Sequence, residues 1–152
     1  MVLYLDEIKI SKSMRLLMKK NKYEITYNRA FSEVVKSCAQ VKRFGQSGTW
    51  ITPGLMNVYN ILHEQGHAHS VEIWDGTKLV GGLYGIDIGD IFCGESMFSK
   101  ASNSSKIALI YLSKELKKYN YKFIDCQVPT AHLASLGAKT ISRKDFLKYL
   151  EK

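Results

Sequence analysis

The chain has 152 residues, of which 45% are hydrophobic and 24% are charged, and its formal net charge is +8. A chain of this length can build one substantial hydrophobic core, so we expect a single domain over residues 1–152. No stretch reaches the roughly 18 apolar residues of a membrane span and the N-terminus has no signal-peptide core, which excludes membrane-spanning and secreted classes and favours the cytoplasm.

The predicted elements begin with alternating strands and helices. A strand or extended lead-in is expected at residues 3–9, a helix at 12–20, a strand at 23–27, and helices at 31–41 and 55–65. Ser11 is a candidate N-cap for the first helix, because its hydroxyl can accept from a free backbone N–H. Gly45 and Gly48 predict a loop that ends at Trp50. The helix after this loop carries one apolar face, formed by Leu55, Val58, Tyr59 and Leu62.

The second half of the chain is rich in strands joined by tight turns. Strands are expected at 70–74, 79–88, 91–97 and 121–128, and helices after a serine-rich loop up to Lys118, at 132–136 and at 143–151. Asp75-Gly76 and Gly89-Asp90 are typical hairpin turns, so the strands on either side of each should pair antiparallel. These elements predict an α+β fold with one mixed, mostly antiparallel sheet flanked by helices.

The positive charge is concentrated in two places. Lys12, Arg15, Lys19, Lys20 and Lys22 fall on or near the first predicted helix, and Lys139, Arg143, Lys144 and Lys148 lie near the C-terminus. A basic helix face opposite an apolar one favours an anionic partner, nucleic acid being the commonest. The alternative is a solvated helix face with no partner.

Carboxylate and amide side chains occur at the ends of two apolar strands. Glu95 comes near the end of one strand, with Phe92 expected beside it on a pocket wall, and Asp125 and Gln127 are spaced so that a strand would present both on one side. A carboxylate attracts a cationic amine and an amide can fix its position, so this combination can hold an amine. The alternative for Glu95 is a structural carboxylate satisfied by a salt bridge or by backbone donors.

Other chemical motifs are weaker. His63, Glu64 and His67 spell the HExxH zinc signature, but Gly66 interrupts it and a strand follows, so the second histidine should fall outside the helix and we expect no metal. The segment GESMF at 94–98 has its glutamate and serine out of register for a nucleophile elbow. The cysteines are expected to be reduced and buried, which argues against a Cys126–His132 pair.

Eight segments closely resemble one enzyme family. They are GTWIT (48–52), HEQGHAHSVEIW (63–74), LVGGLYG (79–85), FCGESMFS (92–99), NSSKIAL (103–109), IDCQVP (124–129), HLASLGAKTISR (132–143) and DFLKYL (145–150). Through these segments the chain resembles leucyl/phenylalanyl-tRNA-protein transferases. The resemblance implies a GNAT-like acyltransferase fold that uses no acetyl-CoA and no other cofactor. It also implies transfer of Leu or Phe (also Met) from charged tRNA to proteins with N-terminal Arg or Lys, which marks them for degradation.

The resemblance also implies roles for individual residues. Trp50 would lie against the 3′-terminal adenosine and the aminoacyl group. The aminoacyl side chain would sit in an apolar pocket formed by Leu83, Phe92, Leu109, Leu112, Leu116 and Ile124. Glu95, Asp125 and Gln127 would form the catalytic polar site. The tRNA acceptor stem would meet Lys12, Arg15, Lys19 and Lys20.

The implied chemistry needs little beyond positioning. An aminoacyl ester is already activated, and the attacking α-amine has a pKa of about 7.7 to 8.0, so Asp125 could take or stabilise its proton while Gln127 orients it. Glu95 could hold the guanidinium or ammonium group of the acceptor. We expect a monomer.

The chain departs from the family pattern in several ways. Family members usually carry a further small domain before the position of Val2 and a further C-terminal tail, so the resemblance is to a short form. Thr130-Ala131 stands where Asn-Pro is more common, and Leu83 and Leu112 replace bulkier residues. Two other functions therefore remain open. One is a non-catalytic module that binds the tRNA acceptor end or an N-terminal residue. The other is an acyl-CoA-dependent enzyme, against which the absence of a glycine-rich pyrophosphate loop argues.

Overall fold

The computed structural model describes residues 1–41 and 48–151, so Gly45 of the predicted loop lies outside the described residues. The strands are β1 (Val2–Tyr4), β2 (Glu24–Tyr27), β3 (Ala68–Asp75), β4 (Lys78–Ile88), β5 (Ile91–Ser99) and β6 (Phe123–Asp125). The helices are α1 (Lys12–Lys19), α2 (Phe31–Gln40), α3 (Pro53–Glu64), α4 (Ser104–Lys118), α5 (Ala131–Ser135) and α6 (Arg143–Leu147). None of the helices in these ranges combines the length and the apolar character needed to cross a membrane.

The strands form one sheet in the order β1-β6-β5-β4-β3-β2. All neighbours pair antiparallel except β5 and β6, which pair parallel. Both predicted hairpin turns are present, and Gly76 and Gly89 supply the positive φ of 59° and 64° that these tight turns require. The predicted mixed, mostly antiparallel sheet is therefore confirmed.

Helices cover both faces of this sheet. On one side α1, α4 and α5 pack over Val71 and Leu83, with the α4 side chains Ile107 and Ile110 almost fully buried. On the other side α2 and α3 pack over Tyr84, which lies next to Leu83 on β4 and so points the opposite way. The predicted cap of α1 is present, since Ser11 Oγ accepts from the backbone N–H of Met14 at 3.2 Å.

Three predicted elements are too long. The first strand is Val2–Tyr4 rather than 3–9, because a turn closed by a bond from Glu7 N–H to the Tyr4 carbonyl ends it. The strand expected at 121–128 is only Phe123–Asp125, and the terminal helix ends at Leu147. In each case a polar or turn-forming segment interrupts an apolar spacing that continues in the sequence.

A β-bulge in β5 changes which face its side chains occupy. Gly85 on β4 pairs with Gly94, while Tyr84 pairs with Ser96, so Glu95 is an extra residue without an opposite partner. Phe92, before the bulge, packs in the cluster on the α4 side, and Phe98, after it, packs on the α3 side although both numbers are even. The expectation that Phe92 and Glu95 share one pocket wall is wrong: strand alternation already places residues three apart on opposite faces, and Glu95 faces Tyr59 on α3.

Candidate functional site

The candidate polar site lies where β5 and β6 stop pairing. Their parallel register ends at Cys93 opposite Asp125, while β5 continues to Ser99. Across this opening Gln127 Nε2 donates to Glu95 Oε1 at 3.4 Å, and the backbone N–H of Gln127 donates to Asp125 Oδ1 at 2.9 Å. The structure thus brings the three predicted catalytic residues into one chain of hydrogen bonds.

Asp125 and Gln127 converge through a turn and not through strand alternation. β6 ends at Asp125, and Gln127 has a φ of 57°, in the left-handed region. An aspartate that accepts the backbone N–H two residues later forms a local turn of its own, which competes with strand geometry. The prediction that both side chains project from one strand is therefore wrong, although their proximity is as expected.

Tyr59 is a fourth member of this site that the sequence did not single out. Its hydroxyl reaches from α3 and donates to Glu95 Oε2 at 2.7 Å, and the residue is only 5% exposed. Burial, together with the bond to Glu95, raises the pKa of Tyr59, so it stays a protonated donor at neutral pH. The sequence pattern placed Tyr59 only on the apolar face of a helix. Since a buried tyrosine hydroxyl usually has a hydrogen-bond partner, that position could have indicated a polar contact.

The six predicted pocket residues all pack in a single buried cluster beneath α4. They are Leu83, Phe92, Leu109, Leu112, Leu116 and Ile124. Phe92, Leu112 and Leu116 also line a cavity of about 390 Å³. The other three belong to the same cluster without lining this cavity. Phe92 pairs with Ile124, and the next residues, Cys93 and Asp125, also pair. Asp125 therefore lies one residue beyond the apolar cluster along β6, and Glu95 lies three residues beyond it along β5.

One wall of the cavity is polar, which the sequence did not predict. Asn28 Oδ1 accepts from the Ser70 N–H at 3.0 Å, which turns its amide nitrogen toward His69 Nδ1 at 3.1 Å. His69 Nε2 therefore carries a proton and donates to Asp87 Oδ2 at 3.0 Å. The hydrogen bond to Asp87 raises the pKa of His69 against the effect of burial. Asn28 follows β2, His69 lies on β3 and Asp87 lies on β4. The only sequence signal that they share one surface is the alternation of side chains along each strand.

Trp50 is not one of the described residues that line the cavity. It is 43% exposed and stands two residues before Thr52, which caps α3 by accepting from the Leu55 N–H at 3.3 Å. Its predicted contact with the terminal adenosine stays a prediction.

The basic face of α1 is exposed as expected. Lys12, Arg15 and Lys19 lie opposite the buried Met14, and Lys20 follows at the helix end. These four cations have no ion-pair partner within residues 1–41 and 48–151. By contrast Lys22 pairs with Asp75 at 3.1 Å, and in the C-terminal set Lys139 and Lys148 pair with Glu7 and Asp145.

The HExxH segment does not have the geometry of a zinc site. α3 ends at Glu64, Gly66 has a φ of 78°, and His67 is exposed beyond the helix. His63 Nδ1 lies 2.8 Å from the carbonyl oxygen of Ala68, and its ring stacks on Phe31 with centroids 4.2 Å apart. The described ranges contain no group of three or more potential metal ligands.

Cys38 and Cys93 are buried free thiols, whereas Cys126, which was expected to be buried, is half-buried. Burial raises the pKa of both Cys93 and Cys126 to about 11, so both are protonated at neutral pH.

Comparisons with known proteins agree closely with one another. The family model described as leucyl/phenylalanyl-tRNA protein transferase matches residues 2–151. A protein of that name from Flavobacterium johnsoniae is 55% identical over 151 residues, which is 99% of this chain and 71% of the relative. One from Flavobacterium psychrophilum is 53% identical over 152 residues, which is 100% of this chain and 72% of the relative.

Solved structures with low identity show the same fold. A ribosomal-protein-alanine N-acetyltransferase from Brucella melitensis biovar Abortus 2308 aligns with a TM-score of 0.57 at 12% identity, covering 79% of this chain and 94% of the other. An aminoglycoside acetyltransferase from an uncultured soil metagenomic sample aligns with a TM-score of 0.54 at 11% identity, covering 88% and 90%. The GNAT-like acyltransferase fold is thus confirmed. With relatives more than half identical over nearly its whole length, this chain belongs to the leucyl/phenylalanyl-tRNA protein transferase family of aminoacyltransferases.

Proposed function

We propose that this chain transfers leucine or phenylalanine, and also methionine, from charged tRNA to the α-amino group of proteins that begin with Arg or Lys. It would act as a monomer in the cytoplasm, without a cofactor, and its product would be marked for degradation. The observation that carries this proposal is the chain of hydrogen bonds from Asp125 through Gln127 to Glu95 at the opening between β5 and β6.

The apolar cluster beneath α4 suits the donor side chain. Phe92, Leu112 and Leu116 line a cavity of about 390 Å³, which is ample for a leucine or phenylalanine side chain. Burying such a side chain contributes roughly 1.5–3 kcal/mol, enough to select apolar donors over polar ones. A side chain branched at Cβ would bring bulk close to the ester and fit less well.

The acceptor amine would be bound and deprotonated by the polar site. Asp125 Oδ1 is occupied by the Gln127 N–H, and Oδ2 has no hydrogen-bond partner among residues 1–41 and 48–151, so Oδ2 can receive a proton from the amine. With its Nε2 toward Glu95, Gln127 directs its amide oxygen away from that carboxylate and can orient the amine. Glu95 would hold the cationic side chain of the acceptor.

The reaction balances without any further group. The amine nitrogen forms a bond to the carbonyl carbon, the ester bond to the ribose oxygen breaks, and the proton from the amine reaches that oxygen. Because the ester is already activated, correct placement of the two substrates supplies most of the acceleration. The unpaired cations of α1 would hold the acceptor stem and so align the ester with the site.

A transfer assay tests the proposal directly. The protein is incubated with tRNA charged with labelled leucine or phenylalanine and with a peptide that begins with arginine, and label in the peptide is counted. We expect incorporation by the wild type and by the control Asp6→Ala, whose carboxylate is exposed and pairs with Lys117. Asp125→Ala should transfer at least about 100-fold more slowly, since general-base assistance contributes on this scale.

Two other results would contradict transfer. Charged tRNA that binds without any label reaching the peptide would favour the second candidate, a module that holds the acceptor end without turnover. Absence of both binding and transfer would exclude both functions.

A further inference from the structure

The polar site continues into the core through a second tyrosine. Tyr84 lies on β4 opposite Ser96, the residue that follows Glu95 in the bulge. Its ring meets that of Tyr59 edge-on, with centroids 4.9 Å apart and planes at 72°. On its other side Phe31 packs edge-on at 5.9 Å. Tyr84 is therefore clamped between α2 and the tyrosine that holds Glu95.

The buried hydroxyl of Tyr84 lowers the stability of the fold, because it has no hydrogen-bond partner in the described part of the chain. The residue is 0% exposed in an apolar cluster, and its hydroxyl oxygen has no hydrogen-bond partner among the described residues. A phenylalanine would fill nearly the same volume without burying an unpaired polar group. A buried polar atom of this kind calls for an explanation beyond packing.

The hydrogen-bonding capacities of the two tyrosines are complementary. The Tyr59 hydroxyl donates its single proton to Glu95 Oε2, so the Tyr59 oxygen can still accept a hydrogen bond. The Tyr84 hydroxyl proton is not donated to any described residue. Burial and Glu95 raise the pKa of Tyr59, and the nearby Tyr84 hydroxyl acts in the opposite direction. An ionised Glu95 can only accept, so the direction of such a chain is fixed from Tyr84 to Tyr59 to Glu95.

We propose that Tyr84 is a positioning residue, which donates to the Tyr59 oxygen when the site is engaged and thereby fixes Glu95 for the acceptor. This rests on the proposed function, because it assigns Glu95 to the acceptor's cationic side chain. Glu95 sits in a bulge without an opposite strand residue, so side chains from α3 and β4 must supply the restraint that a regular strand pair would give.

The test is Tyr84→Phe, with Tyr23→Phe as the control, since Tyr23 precedes the edge strand β2 and is not one of the residues that line the cavity. In Tyr84→Phe we expect the melting temperature to stay the same or to rise, the KM for an arginine-starting peptide to rise about fivefold, and kcat to change less. The same change made in a Tyr59→Phe background should have no further effect, because the chain is already broken. An unchanged KM, or effects of the two substitutions that add, would overturn the proposal.

A measurement on the free protein keeps this inference separate from the transfer reaction. The ¹³C resonance of the Glu95 carboxyl, assigned through Glu95→Gln, should move in the same direction in Tyr84→Phe as in Tyr59→Phe and stay in place in Tyr23→Phe. A resonance that Tyr84→Phe leaves unchanged would overturn the proposal even if transfer is observed. If the wild type transfers nothing, the function fails while this measurement still decides the role of Tyr84. Should Tyr84→Phe not fold, Tyr84→Met in the same measurement replaces it.

Discussion

Gln127 donates its backbone N–H to Asp125 Oδ1 at 2.9 Å, which makes Asp125 both the end of a strand and the acceptor that shapes the next turn. The two duties can be separated experimentally. Asp125→Asn keeps an acceptor oxygen and so keeps the turn, whereas Asp125→Ala loses it. We expect Asp125→Asn to leave stability within about 0.5 kcal/mol of the wild type but to lower kcat at least about 100-fold, because the charge that receives the proton is gone.

Thermal unfolding and transfer kinetics on the two variants check this expectation. Gln127→Gly, which suits the φ of 57° but removes the amide, should keep the turn and raise the KM for the acceptor peptide. An Asp125→Asn variant with wild-type turnover would show that the carboxylate only shapes the turn.

A methyl group at Gly85 should disturb the apolar cavity. A Cβ there would overlap the Cys93 carbonyl oxygen and the ring of Phe92, which lines the cavity. We expect Gly85→Ala to cost about 1–3 kcal/mol in urea unfolding and to alter the ratio of leucine to phenylalanine transfer. Gly54→Ala is the matched control, since a Cβ on that α3 residue meets open space and should be neutral or stabilise by up to about 1 kcal/mol.

The exposed face of α1 should carry most of the salt-dependent affinity for tRNA. Arg15→Gln with Lys19→Gln removes two unpaired cations, and Lys139→Gln with Lys148→Gln removes two that already pair with Glu7 and Asp145. Each variant loses the same charge. We expect only the first pair to reduce the slope of log affinity against log salt, by about 0.9 for each lost phosphate contact. Equal effects in a filter-binding salt series would mean that net charge alone drives binding.

Glu72 should be the most sensitive carboxylate for stability. It is fully buried and accepts from Ser70 Oγ, from Thr26 Oγ1 at 2.6 Å and from the backbone N–H of Arg29 at 3.4 Å. Removing it leaves these donors unpaired, so we expect Glu72→Ala to lose about 2–4 kcal/mol in urea unfolding. Glu33→Ala, on the exposed side of α2, should change stability by less than about 0.5 kcal/mol. A loss below 1 kcal/mol in Glu72→Ala would show that water replaces the carboxylate.

The pair of His69 and Asp87 should make stability depend on pH. The folded pKa of His69 is raised above its ordinary value of 6.5, so the pair contributes its full stabilisation below that value. The contribution is lost as the pH rises through the raised folded pKa. The wild type should therefore have a higher free energy of unfolding than Asp87→Asn. This difference should be largest near pH 5.5 and smaller near pH 8.5. A gap that is constant across this range would mean that His69 is neutral throughout.

Local patterns predicted what depends on neighbouring residues. The turn glycines identified both hairpins, the spacing of basic and apolar residues identified the two sides of α1, and the family resemblance grouped six apolar residues that do share one cluster. The turns and the helix faces depend on residues close together in the sequence, and the family resemblance rests on continuous segments.

The failures occurred where tertiary contacts or a single inserted residue decide the outcome. Val128 extended the apolar spacing of the last strand, yet it is 67% exposed, because the turn at Asp125 has already ended β6. No pattern reveals that Glu95 is the unpaired residue of a bulge, since this depends on the register with β4. The bond from Tyr59 to Glu95 joins a helix and a strand that only the fold brings together.

The three-residue strand β6 affects the order in which the sheet folds and how readily its edge opens in the native state. β6 lies between β5 and β1, with Val2 opposite Asp125 and the Cys126 N–H bonded to the Met1 carbonyl at 2.8 Å. The segment that bears Asp125 is thus completed by β1, which is distant from it in sequence, and closing so long a loop makes this pairing a late step in folding. In native-state hydrogen exchange the amides of β1 and β6 should open together at lower free energy than β3 and β4. Opening of β1 and β6 together would then switch activity off while the rest of the sheet stays folded.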